Sequence, residues 1–473
     1  MAHVTGQSRY QSTLFPEVLD EVVSDEDPVR VIDAFVDTLD LTALGFSKVE
    51  AEGMGRPPYA PGDILKLYVY GYLHRVRSSR RLEAETQRNV QVMWLINRLT
   101  PAFKTIADFR KDHAGAIVGV CRAFIRFCRE QSLFGAELLA IDGTKIAAVA
   151  SRKQVITPKR IEKMNAAIDR KIADYLASMD EADREEPRAA GAPADVAAAI
   201  EALKAQKARL QGQARELAAG GLKQQVVTEP EAKLMRTPHG HAVAYNAQIA
   251  VDAEHKLIVA FELTNEGNDY RQLYPMAAQA KDAVGADQVT AVADTGYSTG
   301  EQGALCEREG ITAVVPRAET VNPNGTQYFS RDRFNYDRES DSWRCPAGAT
   351  LSLYKTSHTQ NKKEYTTEAC GSCPLKPQCT KAARRVIVRD FYEDAREAMH
   401  RRAMADPAWM KHRREMAEHP FGTMKWLMAQ PRFLVRGLRK AKAELALAVL
   451  SYNLKRVVNI LGVPALLEAL EPS

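Results

Sequence analysis

The chain has 473 residues, 45% of them apolar, and a formal charge of +5, which excludes a disordered tail or a small disulfide scaffold and suggests about two to four folded units. No apolar run approaches the ~20 residues that span a bilayer, and the opening MAHVTGQSRYQSTLFPEV has no apolar signal segment, so no membrane association is expected and the cytoplasm is the expected location. Seven cysteines, an odd number without an export signal, argue against a disulfide framework.

Residues 1–135 read as helices. DPVRVIDAFVDTLDL starts at an Asp27 cap with Pro28 in the first turn. A second helix begins near Pro61, and a third at Ser78 or Ser79. After QVMWLINRL and a turn at Thr100-Pro101, KTIADFRKDHAGAIVGVCRAFIRFCRE reads as one long helix capped by Thr105, with Asp108 favourable in its first turn. Short helices, tight turns and exposed bases such as Arg80, Arg81 and Arg110 suggest a helix-turn-helix layout for DNA contact; a plain helical bundle is the alternative. Cys121, Cys128 and Cys306 sit in apolar stretches and read as packing.

From 136 the texture changes. ELLAIDGTKIAAVAS is a short apolar strand with Asp142 at its end. Residues 158–222 interrupt it with a helical hairpin, its seam built from Ile161, Met164, Ile168, Ile172, Tyr175 and Met179 against Leu203, Leu210 and Leu217, with a break at Pro187, Gly191 and Pro193. Strands return over 223–319. HAVAYNAQIAVDAEHKLIVAFELTN reads as two strands about a turn at Ala253-Glu254. DYRQLYPMAAQAKDAVG is a helix capped by Asp269, QVTAVADTGYS a strand ending in Asp294, and a further helix and strand follow. The order fits a mixed α/β sheet.

Residues 320–390 are polar and irregular and hold Cys345, Cys370, Cys373 and Cys379. The two-residue knuckle Cys370/Cys373 suits a tetrahedral structural Zn²⁺, since so polar a segment has little apolar surface to bury. His358 is a replacement ligand, and free thiols or an iron–sulfur cluster are the alternatives. Residues 391–473 are helical. From 381 to 456 there are eighteen Lys and Arg against eight Asp and Glu, an excess that suits a polyanion.

Asp142 and Asp294 each follow an apolar strand and precede a small residue, as carboxylates do at the carboxyl edge of an α/β sheet. Two such acids suggest a divalent-metal site, Mg²⁺ or Mn²⁺, for phosphodiester chemistry. Asp252 reads as a turn residue. Taken with Glu418 on a late helix, where Arg414, Glu418 and Lys425 match the pattern R-(3)-E-(6)-K, this arrangement resembles the DDE transposases of bacterial insertion sequences. PPYAPGDILKLYVYGYLHRVRSSRRLEAETQ with TIADFRKDH, the CPAG…CGSCPLKPQCT segment, and HPFGTMKW…RFLVRGLRKAKAELALAVLSYNLKRV are similar to the subgroup named after insertion sequence 1182. Related groups carry a tyrosine where Lys411 stands here, a base suited to phosphate.

The resemblance implies an α/β fold: an RNase H-like mixed-sheet catalytic core, related to retroviral integrases, with an N-terminal helical DNA-binding domain (1–135), a helical-hairpin insertion (158–222) and a four-cysteine insertion (320–390). The core is then split over 136–157, 223–319 and 391–473. It implies Asp142, Asp294 and Glu418 (rather than Glu415) as catalytic residues holding two Mg²⁺ or Mn²⁺ ions, with Arg414, Lys425, Lys411, Arg80, Arg81 and Arg110 on DNA. The partners implied are double-stranded transposon ends and target DNA, bound by a homodimer at the nucleoid. The alternatives are an RNase H-like nuclease without strand transfer and an inactive, domesticated DNA-binding protein.

Overall fold

The computed structural model describes residues 18–49, 57–185, 193–238, 240–317, 328–429 and 431–471. Among the described residues, seven helices come first: α1 (Leu19–Val22), α2 (Pro28–Asp37), α3 (Pro61–Leu73), α4 (Ser79–Arg88), α5 (Val90–Leu95), α6 (Phe103–Asp112) and α7 (Ala114–Glu130). Asp27 caps α2 as its sequence foretells, accepting from Val29 N at 3.0 Å with Pro28 behind it. The single long helix expected beyond Lys104 is instead two, and Thr105 is not its cap. His113 leaves the helical region between α6 and α7, where its ring packs on Phe46 and Phe109 and contacts Ser47 Oγ at 2.9 Å. Tertiary packing of one aromatic ring overrides the local helical preference.

The central sheet begins with β1 (Leu138–Ala147). A two-stranded ribbon of β2 (Val155–Ile156) and β3 (Gln225–Val226) sits at the base of the helical hairpin α8 (Pro158–Glu185) and α9 (Pro193–Ala219). Ile156, Ile161, Ile168, Leu210 and Leu217 form the hairpin's own core, with Met164, Ile172 and Leu203 beside them. Tyr175, expected in that seam, is exposed. The side chain of Met179, and Pro187 and Gly191 of the expected break, lie outside the described residues, and α8 runs on through Glu185.

The sheet continues with β4 (Lys233–Thr237), β5 (Gly240–Asp252) and β6 (Ile258–Thr264). Next come α10 (Leu273–Val284), β7 (Val289–Val292), α11 (Gly300–Arg308) and β8 (Ile311–Val314). Its order is β4-β5-β1-β7-β8, with β6 also on β5. β1 is antiparallel to β5 and parallel to β7, and β7 is parallel to β8. The sheet is therefore mixed, its parallel half linked by helices and its antiparallel half by tight connections.

Residues 328–390 are not irregular. They form a second, antiparallel sheet of β9 (Asn335–Asp337), β10 (Ser342–Arg344), β11 (Thr350–Ser357), β12 (Lys362–Thr366) and β13 (Ile387–Asp390). Phe334, Trp343, Leu351, Tyr365 and Ile387 bury a small core there. Spread singly among polar residues, these side chains show no period in the sequence, yet they meet in one cluster.

The chain ends in α12 (Glu393–Ala405), α13 (Ala408–Leu427), α14 (Leu438–Leu461) and α15 (Val463–Leu470). Helices α10 and α11 share a core with Leu139 and Ile141 on one face of β1, and α13 packs Met416 and Ala417 on Ala140, Val292 and Val314 on the other. From Ala443 to Leu454 every residue of α14 is buried. A helix apolar all round belongs inside a core, and α14 runs through one that also holds residues of α2, α3, α7, β5 and β6. No single helix among the described residues is long and apolar enough to cross a membrane.

Candidate active site

Asp142 lies in the middle of β1, not at its end as expected; it is the neighbour β7 that ends. The β1–β7 pairing stops at Ala140↔Val292, while Asp142 still pairs with Ile249 of β5. Alternation along the strand puts Asp142 on the same face as Ala140, toward α13. Asp294 emerges just past β7. Its Oδ1 accepts from Gly296 N at 2.8 Å, fixing the turn Thr295–Tyr297, and Asp142 Oδ1 accepts from Gly143 N at 2.8 Å.

Arg413 joins the two. Its Nη2 lies 2.6 Å from Asp142 Oδ1 and 3.5 Å from Asp294 Oδ2. Burial pushes the Asp142 carboxyl up to about 6, against the opposing pull of Arg413 and the Gly143 amide, while the nearby Asp294 and Asp269 push it further. A perturbed acid beside a second acid makes the pair a candidate functional site.

Beneath the pair, on the α10 side of β1, lies a polar network that the sequence reading missed. Asp269 was expected to cap α10; Gln272 holds that position, and the Asp269 carboxylate turns inward. It accepts from Gln248 Nε2 at 2.6 Å and Asn246 Nδ2 at 2.7 Å, and Lys145 Nζ is 3.3 Å away. Tyr297 Oη donates to Gln248 Oε1, so the turn that carries Asp294 is tied to β5 under Asp142. Gly143 is needed here, since a Cβ would sit 2.3 Å from Gln248 Nε2 and 3.1 Å from Asp269 Oδ1. The signal was present: Asn246 and Gln248 alternate, as polar residues, along one face of an otherwise apolar strand. Asp252 is the expected turn residue, accepting from the amides of Gly135, Ala136 and Glu254.

Glu418 is exposed on α13, and among the described residues it makes no hydrogen bond or ion pair. Glu415 pairs at the surface with Lys411 at 3.9 Å. On a helix, Arg414, Glu418 and Lys425 project within about 40° of one another, while Arg413 shares the buried stripe of Met416, Ala417 and Pro420. Arg414, Lys411, Arg80 and Arg81 are exposed, and Lys425 is half-buried over the Phe421 ring. Arg110, expected on DNA, is instead 6% exposed, 2.6 Å from the fully buried Glu444. It faces the core because Ile106 and Phe109 set the inward side of α6.

Both aspartates are hard oxygen donors and already converge on a cationic group, so the pair fits Mg²⁺ or Mn²⁺. The four cysteines line a single pocket with Phe334 and Leu351, Cys345 and Cys379 pack on the small core, and burial pushes the Cys379 thiol up. Among the described residues, no group of three or more His, Cys, Asp or Glu is arranged to hold a metal ion. The expected want of apolar surface in the cysteine segment is not found, as its sheet buries a small core of its own.

The sheet edge thus carries two acids on one arginine, and comparison with known proteins says more. A family described as Transposase DDE domain matches residues 344–458, and one described as Transposase domain (DUF772) matches residues 17–112. These two matches support a DDE transposase of the insertion-sequence kind. The cysteine segment and Glu418 both fall within the first match; Asp142 and Asp294 lie outside it. No curated protein matches in sequence. A cryo-EM structure of the piggyBac transposase synaptic complex with hairpin DNA aligns over 92% of this chain and 75% of its own, at 10% identity and a TM-score of 0.33, a likeness too slight to build on.

Proposed function

We propose that the mixed sheet is an RNase H-like catalytic core in which Asp142, Asp294 and Glu418 serve end cleavage and strand joining on double-stranded DNA. The observation that carries this is the convergence of Asp142 and Asp294, distant in sequence, on Arg413 where β7 gives out. Asp142 and Asp294 would hold a divalent ion, with Glu418 completing the set from α13 once DNA is bound. A bound ion supplies charge neutralisation and a more acidic water for attack on a phosphodiester. The residues of the chain do the rest. The Tyr297–Gln248–Asp269 network holds the Asp294 turn against β1. Arg413 neutralises the two carboxylates, the role that a bound ion would take over. Arg414, Lys425, Lys411, Arg80 and Arg81, all reaching solvent, take phosphates and set the register of the duplex.

In this scheme residues 1–135 bind transposon ends, 136–157, 223–319 and 391–473 make the core, and 158–222 and 320–390 are insertions. Two copies act together at the nucleoid, because two ends must be joined. The test is an assay with purified protein, Mg²⁺ or Mn²⁺, a labelled terminal inverted repeat and a plasmid target. Joined products are expected; cleavage without joining would reduce the protein to a nuclease, and neither product would reject the proposal. Cys345, Cys370, Cys373 and Cys379, which line one pocket, would be the ligands of one Zn²⁺, soft donors suiting that ion. Elemental analysis of the purified chain should give about one zinc per molecule, lost when Cys370 and Cys373 are changed to serine; a zinc-free, fully folded wild type would overturn this.

A further inference from the structure

Near the end of α13, Trp426 is 51% exposed, although so large an aromatic ring is highly buried on average. Its ring is flanked by two cations. The guanidinium of Arg75, from the turn between α3 and α4, lies 4.5 Å from the ring centroid, and the ammonium of Lys455, from α14, lies 5.1 Å away. Lys425 is the preceding residue. Arg75 holds a left-handed backbone (φ +64°), a conformation that costs a non-glycine residue energy and so is retained only where its surroundings fix it. Among the described residues none of Arg75, Lys425 and Lys455 has an acidic partner. Elsewhere the chain pairs its bases readily: Arg389 with Asp394 and Glu397, and Lys66 with Asp33 and Asp37. Three segments far apart in sequence thus bring unpaired cations to one aromatic ring. Like charges so gathered repel one another until an anion arrives.

We infer that this patch is a second DNA-contact site, gripping the sugar–phosphate backbone away from the cut bond, an inference that rests on the transposase function proposed above. Cations that bring no sequence information but fix position are the usual backbone contacts, and the ring holds Arg75 and Lys455 together where phosphates can reach them. The location fits. At 1.5 Å per residue, Trp426 lies about 20 Å along α13 from Arg413. At 3.4 Å per step, that is about six base pairs.

The experiment measures binding of a labelled terminal inverted repeat over a series of salt concentrations, for wild type, Lys455→Gln, Arg75→Gln, Trp426→Phe and Trp426→Ser. Lys455 is exposed, which keeps its variant free of folding effects. Each cation variant should lose about five- to tenfold in affinity at 0.1 M salt, and its salt slope should fall by about one. Trp426→Phe should retain most of the binding and Trp426→Ser should not. Ethylation of phosphates about six base pairs from the cut bond should hinder wild type but not the Arg75→Gln/Lys455→Gln pair. Variants that match wild type in affinity and slope would overturn the patch and leave the transposase function standing; a wild type that binds no end DNA would remove that function as well. Loss of polyglutamate binding with DNA binding unchanged would assign the patch to an acidic protein, and would equally overturn the inference.

Discussion

Asp294→Ala removes cleavage of a terminal inverted repeat while binding to that repeat persists within a few-fold. The expected loss is roughly a thousandfold, since about 4 kcal/mol of charge stabilisation at the reacting phosphate is forfeited and each 1.36 kcal/mol is a factor of ten. The fold should survive, because the Asp294 side chain is 46% exposed and Arg413 keeps its 2.6 Å contact with Asp142. Gel shift and cleavage on the same preparation check both halves, and a variant that still cuts would remove Asp294 from the site. The pH dependence has a definite sign. The buried Asp142 carboxyl, raised to about 6, is neutral below that pH and cannot help hold a cation. Cleavage should therefore fall as pH drops through about 6, with end binding unaffected. More Mg²⁺ should move the fall to lower pH, because the ion and the proton compete for one carboxylate.

A second large effect lies far from the chemistry. Arg110→Met leaves Glu444 as a lone buried charge at the contact of α6 with α14, at a cost of about 3–5 kcal/mol near neutral pH. The present pair is close but imperfect: Arg110 Nη1 is 2.6 Å from Glu444 Oε1, and Arg110 Nε has no hydrogen-bond partner. Glu444 Oε2 accepts from Leu434 N at 2.7 Å. Burial raises the pKa of Glu444 even against the opposing pull of Arg110, and removing Arg110 raises it more. A carboxyl that binds its proton more tightly when folded costs stability as pH rises. The deficit of Arg110→Met should thus be smallest near pH 5 and full at pH 8, by urea midpoint. The Arg110→Met/Glu444→Gln pair should recover most of it. A deficit equal at both pH values, or none, would show that the pair carries no such charge.

Much of the site was legible in the sequence because strand patterns are short and strict. An apolar run followed by Asp-Gly or Asp-Thr-Gly singled out the two aspartates that meet at Arg413, although Asp142 sits inside its strand and only Asp294 lies past the end of one. What escaped depended on helical phase and on partners distant in sequence. Arg413 and Arg414 are adjacent bases, and only the spacing of Arg413 from Met416 and Ala417 marks it as the inward one. That i, i+3, i+4 signal was there to be read. Arg110 looked like a surface base because the acid that buries it, Glu444, comes from another helix entirely. Asp269 looked like a cap because capping is a local rule, whereas its true partners lie on β1 and β5. In the cysteine segment, isolated aromatics spaced by polar residues gave no period, so its sheet did not show.

The burial of α14 bears on synthesis. Helices α3 and α7 bury their apolar faces in a core that α14 completes. Yet α14 begins at Leu438, roughly 300 residues after α7 ends at Glu130, about 15–60 s of translation at about 5–20 residues per second. Throughout that interval the nascent N-terminal helices expose surface meant for a partner not yet made. The basic stretch 381–456, which includes most of α14, is likewise made only after those helices.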